Sequence, residues 1–290
     1  MSDLKVNNIT SASGSHGTVV AGVSTVSSNA FIIMPSSSVE VRGAGSGRAV
    51  FGGGYTAAPS GHNHTMDFVT IASTGNATDF GNLFTGRYGL GATSSATRGV
   101  WAGGFTSPKV DTMDYVTIAS TGNARDFGNL TEVKGYLSIG IAASPTRGLF
   151  SGGINPSKVS KIEFITIATL GDAQDFGDLT VATSSASSCS SSTRGIMGGG
   201  ETPTIINTIE YVTIASGGKA TNFGDLSVTR SIGAACSSNT RGVFGGGDTP
   251  SKSDVIDYII IATQGDAVDF GNLDTARKGL SACSNGHGGL

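Results

Sequence analysis

Charge, histidine and cysteine are all scarce in this sequence. Charged residues make up 13% of the chain and the net charge is −3, whereas charged residues are about 25% of a typical soluble protein. The 18 lysines and arginines are spread along the chain, and a nucleic-acid-binding protein needs a clustered basic face. No apolar run reaches the roughly 20 residues of a membrane-spanning helix, and the first residues lack the apolar core of a signal peptide. We therefore expect a soluble protein that neither binds nucleic acid nor inserts into a membrane.

The three cysteines are evenly placed. Cys189, Cys236 and Cys283 are 47 residues apart, and Thr93 and Ala142 take the corresponding positions earlier in the chain. Evenly spaced single thiols resemble neither a disulfide framework nor a Cys-x-x-Cys zinc site. We interpret this position as a small buried side chain.

Glycine is abundant, at 45 residues, and much of it belongs to a repeat. The unit Thr-Arg-Gly-Val-Phe-Gly-Gly-Gly at residues 240–247 has five related copies, whose arginines are 50, 49, 47 and 47 residues apart: Arg48, Arg98, Arg147, Arg194 and Arg241. A period of this length is typical of a propeller or a solenoid.

Each repeat contains four strand-like segments, seen best at residues 231–237, 241–247, 257–262 and 269–273. Glycine, proline and polar residues between them predict turns, and no segment has a sustained helical period. Four antiparallel strands in about 47 residues match one propeller blade. The sequence therefore predicts an all-β fold.

The two ends of the repeat region complement each other. The chain enters the repeat at a second strand, beginning at Arg48, and finishes on a first-type strand at residues 278–283. A solenoid would need capping repeats, which neither end resembles. We predict a five-bladed β-propeller over residues 48–290, in which the C-terminal strand completes the first blade and closes the ring.

Residues 1–47 do not share the repeat and form a predicted small β or extended segment, with strand-like pieces at 4–10, 18–23 and 30–34. One interpretation is a loose arm that packs on the propeller. The other, which we favour, is an attachment segment that orders against a partner.

The repeat resembles the kelch repeat over about residues 48–284. The resemblance rests on an apolar strand ending in Gly-Gly, then an acidic residue beside an aromatic one, then a later aromatic residue; phenylalanine stands where kelch repeats usually carry tryptophan. The Gly-Gly pairs begin at Gly53, Gly103, Gly152, Gly199 and Gly246, the first aromatics are Phe68, Tyr115, Phe164, Tyr211 and Tyr258, and the later ones are Phe80, Phe127, Phe176, Phe223 and Phe270. We expect the aromatic rings to fill the wedges between blades, at roughly 1.5–3 kcal/mol for each buried ring.

Residues that would support catalysis are few. His62 and His64 would give a metal only two nitrogens, and no further ligand is evident. The repeated acids are expected to pair structurally with the repeated arginines: Asp67, Asp114, Glu163, Glu210 and Asp257 with Arg98, Arg147, Arg194 and Arg241. Some kelch-like propellers are copper oxidases, but the tyrosine, histidine and cross-linked cysteine of such a site are missing from this pattern. We predict no enzyme, no metal and no cofactor.

Departures from the repeat are the best indicators of a binding surface, because the common blade does not require them. The candidate binding residues are Tyr55, His62, His64, Phe84, Tyr88, Phe105 and Tyr136. Aromatic rings beside polar loops suit a sugar ring or a protein patch. The alternative interpretation is that they pack against the N-terminal segment.

The stretch 112–130, Thr-Met-Asp-Tyr-Val-Thr-Ile-Ala-Ser-Thr-Gly-Asn-Ala-Arg-Asp-Phe-Gly-Asn-Leu, together with 4–10, resembles virion proteins of marine tailed phages, notably those of cyanobacteria. The resemblance implies a tail-fibre, spike or capsid-surface component, made in the host cytoplasm and oligomeric in the virion. Residues 1–47 would bind other virion proteins, and the propeller would bind a host-surface glycan or protein or another virion subunit. A cellular kelch-type interaction scaffold is the alternative.

Overall fold

The computed structural model describes residues 47–56, 61–71, 73–140 and 142–282. Residues 1–46, with the three strand-like pieces predicted there, lie outside the described residues. The described chain contains 22 strands and no helix, so it holds no helix that could cross a membrane. The strands are β1 (Arg48–Gly52), β2 (Thr65–Thr70), β3 (Thr78–Asn82), β4 (Gly91–Ser94), β5 (Arg98–Ala102), β6 (Thr112–Thr117), β7 (Arg125–Asn129), β8 (Ile139–Gly140), β9 (Ala142–Ala143), β10 (Arg147–Ser151), β11 (Ile154–Asn155), β12 (Ser157–Lys158), β13 (Lys161–Thr166), β14 (Gln174–Asp178), β15 (Ser187–Ser190), β16 (Arg194–Gly198), β17 (Thr208–Thr213), β18 (Thr221–Asp225), β19 (Ala234–Ser237), β20 (Arg241–Gly245), β21 (Val255–Ile260) and β22 (Val268–Asn272).

These strands form five antiparallel sheets arranged as a five-bladed β-propeller, which confirms the predicted fold class. Blade 1 is β1–β3, blade 2 is β4–β7, blade 3 is β9, β10, β13 and β14, blade 4 is β15–β18, and blade 5 is β19–β22. Strand β8 pairs in parallel with β15, and β11 with β12 forms a small separate hairpin. Every blade is a meander because its successive strands are neighbours in the sheet, with the β11–β12 hairpin lying in the connection from β10 to β13 of blade 3.

Each blade carries a bulge at the same place, immediately before its repeated acid. In blade 2 the register of β6 and β7 shifts between Met113 and Asp114, opposite Gly128. Gly128 has a φ of 138°, and a Cβ there would lie 2.5 Å from the carbonyl oxygen of Gly171 in the next blade. Only glycine fits such a conformation and such a close approach. The Phe-Gly pair is therefore part of the contact between blades in the first four repeats, whereas a Cβ on Gly271 of blade 5 would meet nothing within 4 Å.

The core lies in the wedges between successive blades. The predicted wedge aromatics Phe80, Phe127, Phe176 and Phe223 are only 2–4% exposed. Phe223 of blade 4, for example, shares one apolar cluster with residues of blade 5. The interpretation of these four rings as core residues is confirmed, but it is wrong for the fifth, Phe270, which is 54% exposed.

One aromatic residue in blade 5 and one in blade 1 are exposed, although their equivalents in the other blades are buried. Phe270, the equivalent of Phe223, is 54% exposed, and Phe51, whose equivalents in blades 2 to 5 are buried, is 49% exposed. The C-terminal closing strand was predicted at 278–283, and its described part, 278–282, is not a strand. Blade 1 thus has three strands in the described part of the chain, and residues 278–282 do not form the predicted closing strand.

The expected pairing of the repeated arginines with the repeated acids is wrong. The guanidinium of Arg98 lies 4.7 Å from the ring centre of Tyr115, and its Nη1 donates to the carbonyl oxygen of Ile167 in the next blade, at 2.8 Å. Successive residues of a strand face opposite sides of the sheet. Tyr115 and Asp114 therefore point in opposite directions, and the arginine meets the ring.

The cysteine position is tightly packed, as predicted. Cys189 is buried, and its Sγ would lie 2.8 Å from a Cβ placed on Gly242 of the next blade. Burial raises the pKa of the Cys189 thiol. Thr93 and Ala142 are also buried, Cys236 is half-buried, and Cys283 lies outside the described residues.

Candidate functional site: an aromatic patch

The departures from the repeat lie at one end of the blades, where the Gly-Gly turns and the loops between blades meet. Phe105 follows the Gly-Gly turn after β5, and Tyr88 lies in the loop that leads from blade 1 to blade 2. Their backbones bond to each other: Tyr88 N–H donates to the Phe105 carbonyl at 3.2 Å, and Phe105 N–H donates to the Tyr88 carbonyl at 2.8 Å. This paired backbone holds the two side chains next to each other.

Five of the seven predicted binding residues form one continuous cluster, the aromatic patch, which consists of Tyr55, His62, Tyr88, Phe105 and Tyr136. Tyr88 is at its centre, stacked between His62 at 5.5 Å and Phe105 at 5.4 Å between ring centres. Tyr55 meets the edge of Tyr88 at 5.3 Å, and Tyr136 lies 5.0 Å from Phe105. The patch therefore extends across loops of the first three blades.

Small residues make room for these rings. A Cβ on Gly135 would lie 2.6 Å from the Phe105 ring, and one on Gly61 would lie 2.9 Å from the Tyr55 ring. Packing density leaves no space for an added methyl group at such distances. The glycines are thus part of the construction of the patch.

Tyr136 is positioned by a backbone ladder between neighbouring loops. Its φ is 54°, an unfavourable conformation for a residue with a side chain. Its N–H donates to the carbonyl of Gly89 at 2.7 Å, and its carbonyl accepts from Ser185 N–H at 3.0 Å. The ladder continues through Ile232 to Gly279. These bonds between blades hold Tyr136 against Tyr88 and Phe105.

The electrostatics of the patch combine aromatic faces with one nearby cation. Burial, and then the interaction with the Tyr88 hydroxyl, raise the pKa of the Tyr136 hydroxyl, so Tyr136 is neutral at ordinary pH. Lys109 Nζ lies 5.3 Å from the centre of the Phe105 ring. Lys109 was not among the binding residues predicted from the sequence. The spacing of four residues between Phe105 and Lys109 could have indicated this contact, because the two residues face each other across a tight hairpin.

Phe84 and His64 are the two predicted binding residues that the structure does not bring into the patch. Phe84 is 81% exposed and His64 is exposed. Among the ring contacts of the described residues, neither side chain takes part. In the described ranges, no three histidine, cysteine, aspartate or glutamate side chains gather as a metal site would require.

Charged pairs replace the aromatic rings farther round the same end of the propeller. The Phe105 position becomes Glu201 in blade 4 and Asp248 in blade 5. Glu201 pairs with Lys158 at 2.9 Å, and Asp248 pairs with Lys278 at 2.5 Å. The aromatic character is thus confined to one sector of this surface.

Comparison of the chain with protein-family models and with curated proteins finds no match in either. The resemblances to kelch repeats and to phage virion proteins therefore rest on the sequence patterns described above. The chemistry of the site is best judged from its own residues.

Proposed function

We propose that the chain is a non-enzymatic virion structural protein of a tailed phage, and that its propeller binds a host-surface glycan or protein through the aromatic patch. The observation that carries the binding role is the gathering of rings that the repeat does not require. Tyr88, Phe105 and Tyr136 depart from the common blade, yet they meet at one surface.

Physical chemistry favours such a surface for binding. Aromatic faces offer a large rigid contact area, and tyrosine hydroxyls add polar contacts at the rim. Residues of this kind dominate the energetics of protein interfaces. Tyr55, 68% exposed, is directly available to a ligand at the edge of the patch.

The virion setting is supported by the resemblance of residues 4–10 and 112–130 to phage virion proteins. In this proposal residues 1–47 dock on other virion subunits, and the propeller faces outward as part of a tail fibre, spike or capsid surface. The alternative setting is a cellular interaction scaffold.

The binding role is tested with the full chain and substituted forms on host-cell envelopes and on a glycan array. Tyr88→Ala and Phe105→Ala should each weaken binding at least tenfold, because each removes a stacking face at the centre of the patch. The matched control is Phe84→Ala, which removes an equally large but unpacked ring outside the patch and should bind as wild type. Unchanged binding by both patch variants, with the fold intact by circular dichroism, would refute the role.

The virion setting has a separate test. Mass spectrometry of purified phage particles should detect the chain, and cryo-electron microscopy should show it attached through residues 1–47. Detection only in the soluble fraction of infected cells would favour the scaffold.

A further inference from the structure

Three loops between blades deliver a cationic side chain to the repeated acid of the following blade. Arg87 pairs with Asp114 at 2.9 Å, Lys134 with Glu163 at 2.5 Å, and Arg230 with Asp257 at 2.5 Å. All six side chains are at most 3% exposed. Each buried acid is thus neutralised by a cation from the loop that begins its blade.

Blade 4 has the acid but lacks the cation. Glu210 is 8% exposed and accepts a hydrogen bond from Thr180 N–H at 3.0 Å, as well as one from the Thr180 hydroxyl. The cation position of this loop is Thr183, whose hydroxyl donates to the carbonyl of Val181 at 2.9 Å. Among the described residues, no lysine or arginine forms an ion pair with Glu210 within 4.0 Å.

The missing side chain leaves a cavity beside the acid. The cavity measures about 30 Å³, and Thr183 and Glu210 both line it. One water molecule needs about 10–15 Å³, so the cavity has room for about two water-sized groups, enough for an ammonium group and the carbon next to it, with the rest of an alkyl chain directed to the exit. Most of the wall is apolar, including Leu179, Met197 and Ile206. Exposed Val181, 51% accessible, also lines the cavity and marks its way out to solvent.

We propose that this Glu210 cavity binds a primary alkylamine, with the ammonium group at the Glu210 carboxylate and the alkyl chain against the apolar wall. A lysine side chain has this chemistry, and so has a free aliphatic amine. The proposal is independent of the aromatic patch.

The other blades give the reason for an ammonium rather than a guanidinium group. Where the acid is aspartate, at Asp114 and Asp257, the chain supplies arginine; where it is glutamate, at Glu163, the chain supplies Lys134. Glutamate reaches one methylene farther, so less space remains for the cation. Glu210 follows the glutamate pattern and therefore fits the compact ammonium group.

Among the residues that line the cavity, Glu210 is the one with an ionisable side chain, so the lining offers a carboxylate to a cation and no positive charge to an anion. Burial raises the pKa of Glu210, while the Thr180 hydrogen bond and the charge of Lys219 lower it. Lys219 is itself exposed and is not among the residues that line the cavity. A bound ammonium group would supply the buried partner that Asp114, Glu163 and Asp257 already have.

The experiment measures binding of n-butylamine to the full chain at pH 7 by calorimetry, at constant ionic strength. Wild type should bind with a saturable isotherm, n-butylguanidine should bind at least tenfold more weakly, and neutral n-butanol should not compete. Glu210→Gln removes the carboxylate charge, and Thr183→Lys fills the cavity with the chain's own ammonium group. Both variants should lose binding at least tenfold.

A blocked lysine, N-acetyl-lysine methylamide, identifies the source of the amine. Binding of both amines points to a lysine side chain of a partner protein, and binding of n-butylamine alone points to a free aliphatic amine. Equal binding of n-butylamine to wild type and to Glu210→Gln would overturn the proposal. So would equal affinity for n-butanol, because the carboxylate would then play no part.

Discussion

Phe223 and Phe270 hold the same repeat position in blades 4 and 5 and allow the packing between blades to be measured. Each meets the tyrosine of its own blade edge-on, at 5.9 Å and 6.0 Å between ring centres. The contact of the phenylalanine with the tyrosine of its own blade is therefore the same in blades 4 and 5. The difference is outside the blade, where Phe223 is 3% exposed and Phe270 is 54% exposed.

Replacement of each ring by alanine should have unequal costs. Phe223→Ala removes a fully packed ring and leaves a cavity, so it should lower the free energy of unfolding by about 3–5 kcal/mol. Phe270→Ala loses roughly half the burial of one ring and leaves no enclosed cavity, which corresponds to about 1 kcal/mol. The difference of about 2–4 kcal/mol is the contribution of packing against the next blade.

Urea unfolding, followed by tryptophan fluorescence and circular dichroism, measures both costs, and an unchanged slope would show that the unfolded state is unaffected. Equal costs for the two variants would refute the reasoning, because Phe270 would then be packed as its equivalents are. That result would mean that blade 5 and blade 1 are joined as tightly as the other pairs.

Three further predictions concern buried charge and close packing. Arg230→Met should lower the free energy of unfolding by about 3–5 kcal/mol, because it leaves a buried acid unpaired. The control is Arg241→Met, which removes only an exposed ring contact. It should lower the free energy of unfolding by at most about 1 kcal/mol in the same urea titration. Gly242→Ala should cost about 1–3 kcal/mol because the new methyl group meets a sulfur atom at 2.8 Å, and Gly245→Ala, with its nearest contact at 3.7 Å, should leave the melting temperature unlowered. Burial raises the pKa of Glu210 above its ordinary 4.5, so its contribution to stability is present below pH 4.5 and is lost as the pH rises through the higher folded-state pKa. Stability of wild type relative to Glu210→Gln should therefore fall as the pH rises from 4.5, and a constant difference across pH would contradict this sign.

The sequence by itself determined the blade. The 47–50-residue period, the strand order and the wedge position of Phe127 could all be predicted, because they depend on side-chain alternation and on contacts that recur identically in each repeat. The small-residue position at Cys189 was predictable for the same reason. A pattern repeated in every blade indicates a contact that most blades make, and Phe270 of blade 5, 54% exposed, is the exception.

Only the tertiary structure decided how the loops of neighbouring blades meet. Arg98 was expected to meet Asp114, but the pleat directs the arginine to Tyr115, and Arg87 from the preceding loop reaches the acid instead. The aromatic patch likewise joins residues from separate loops, and the cavity at Glu210 exists because one loop lacks its cation. Such contacts depend on the stacking of one blade against the next, which no local periodicity records.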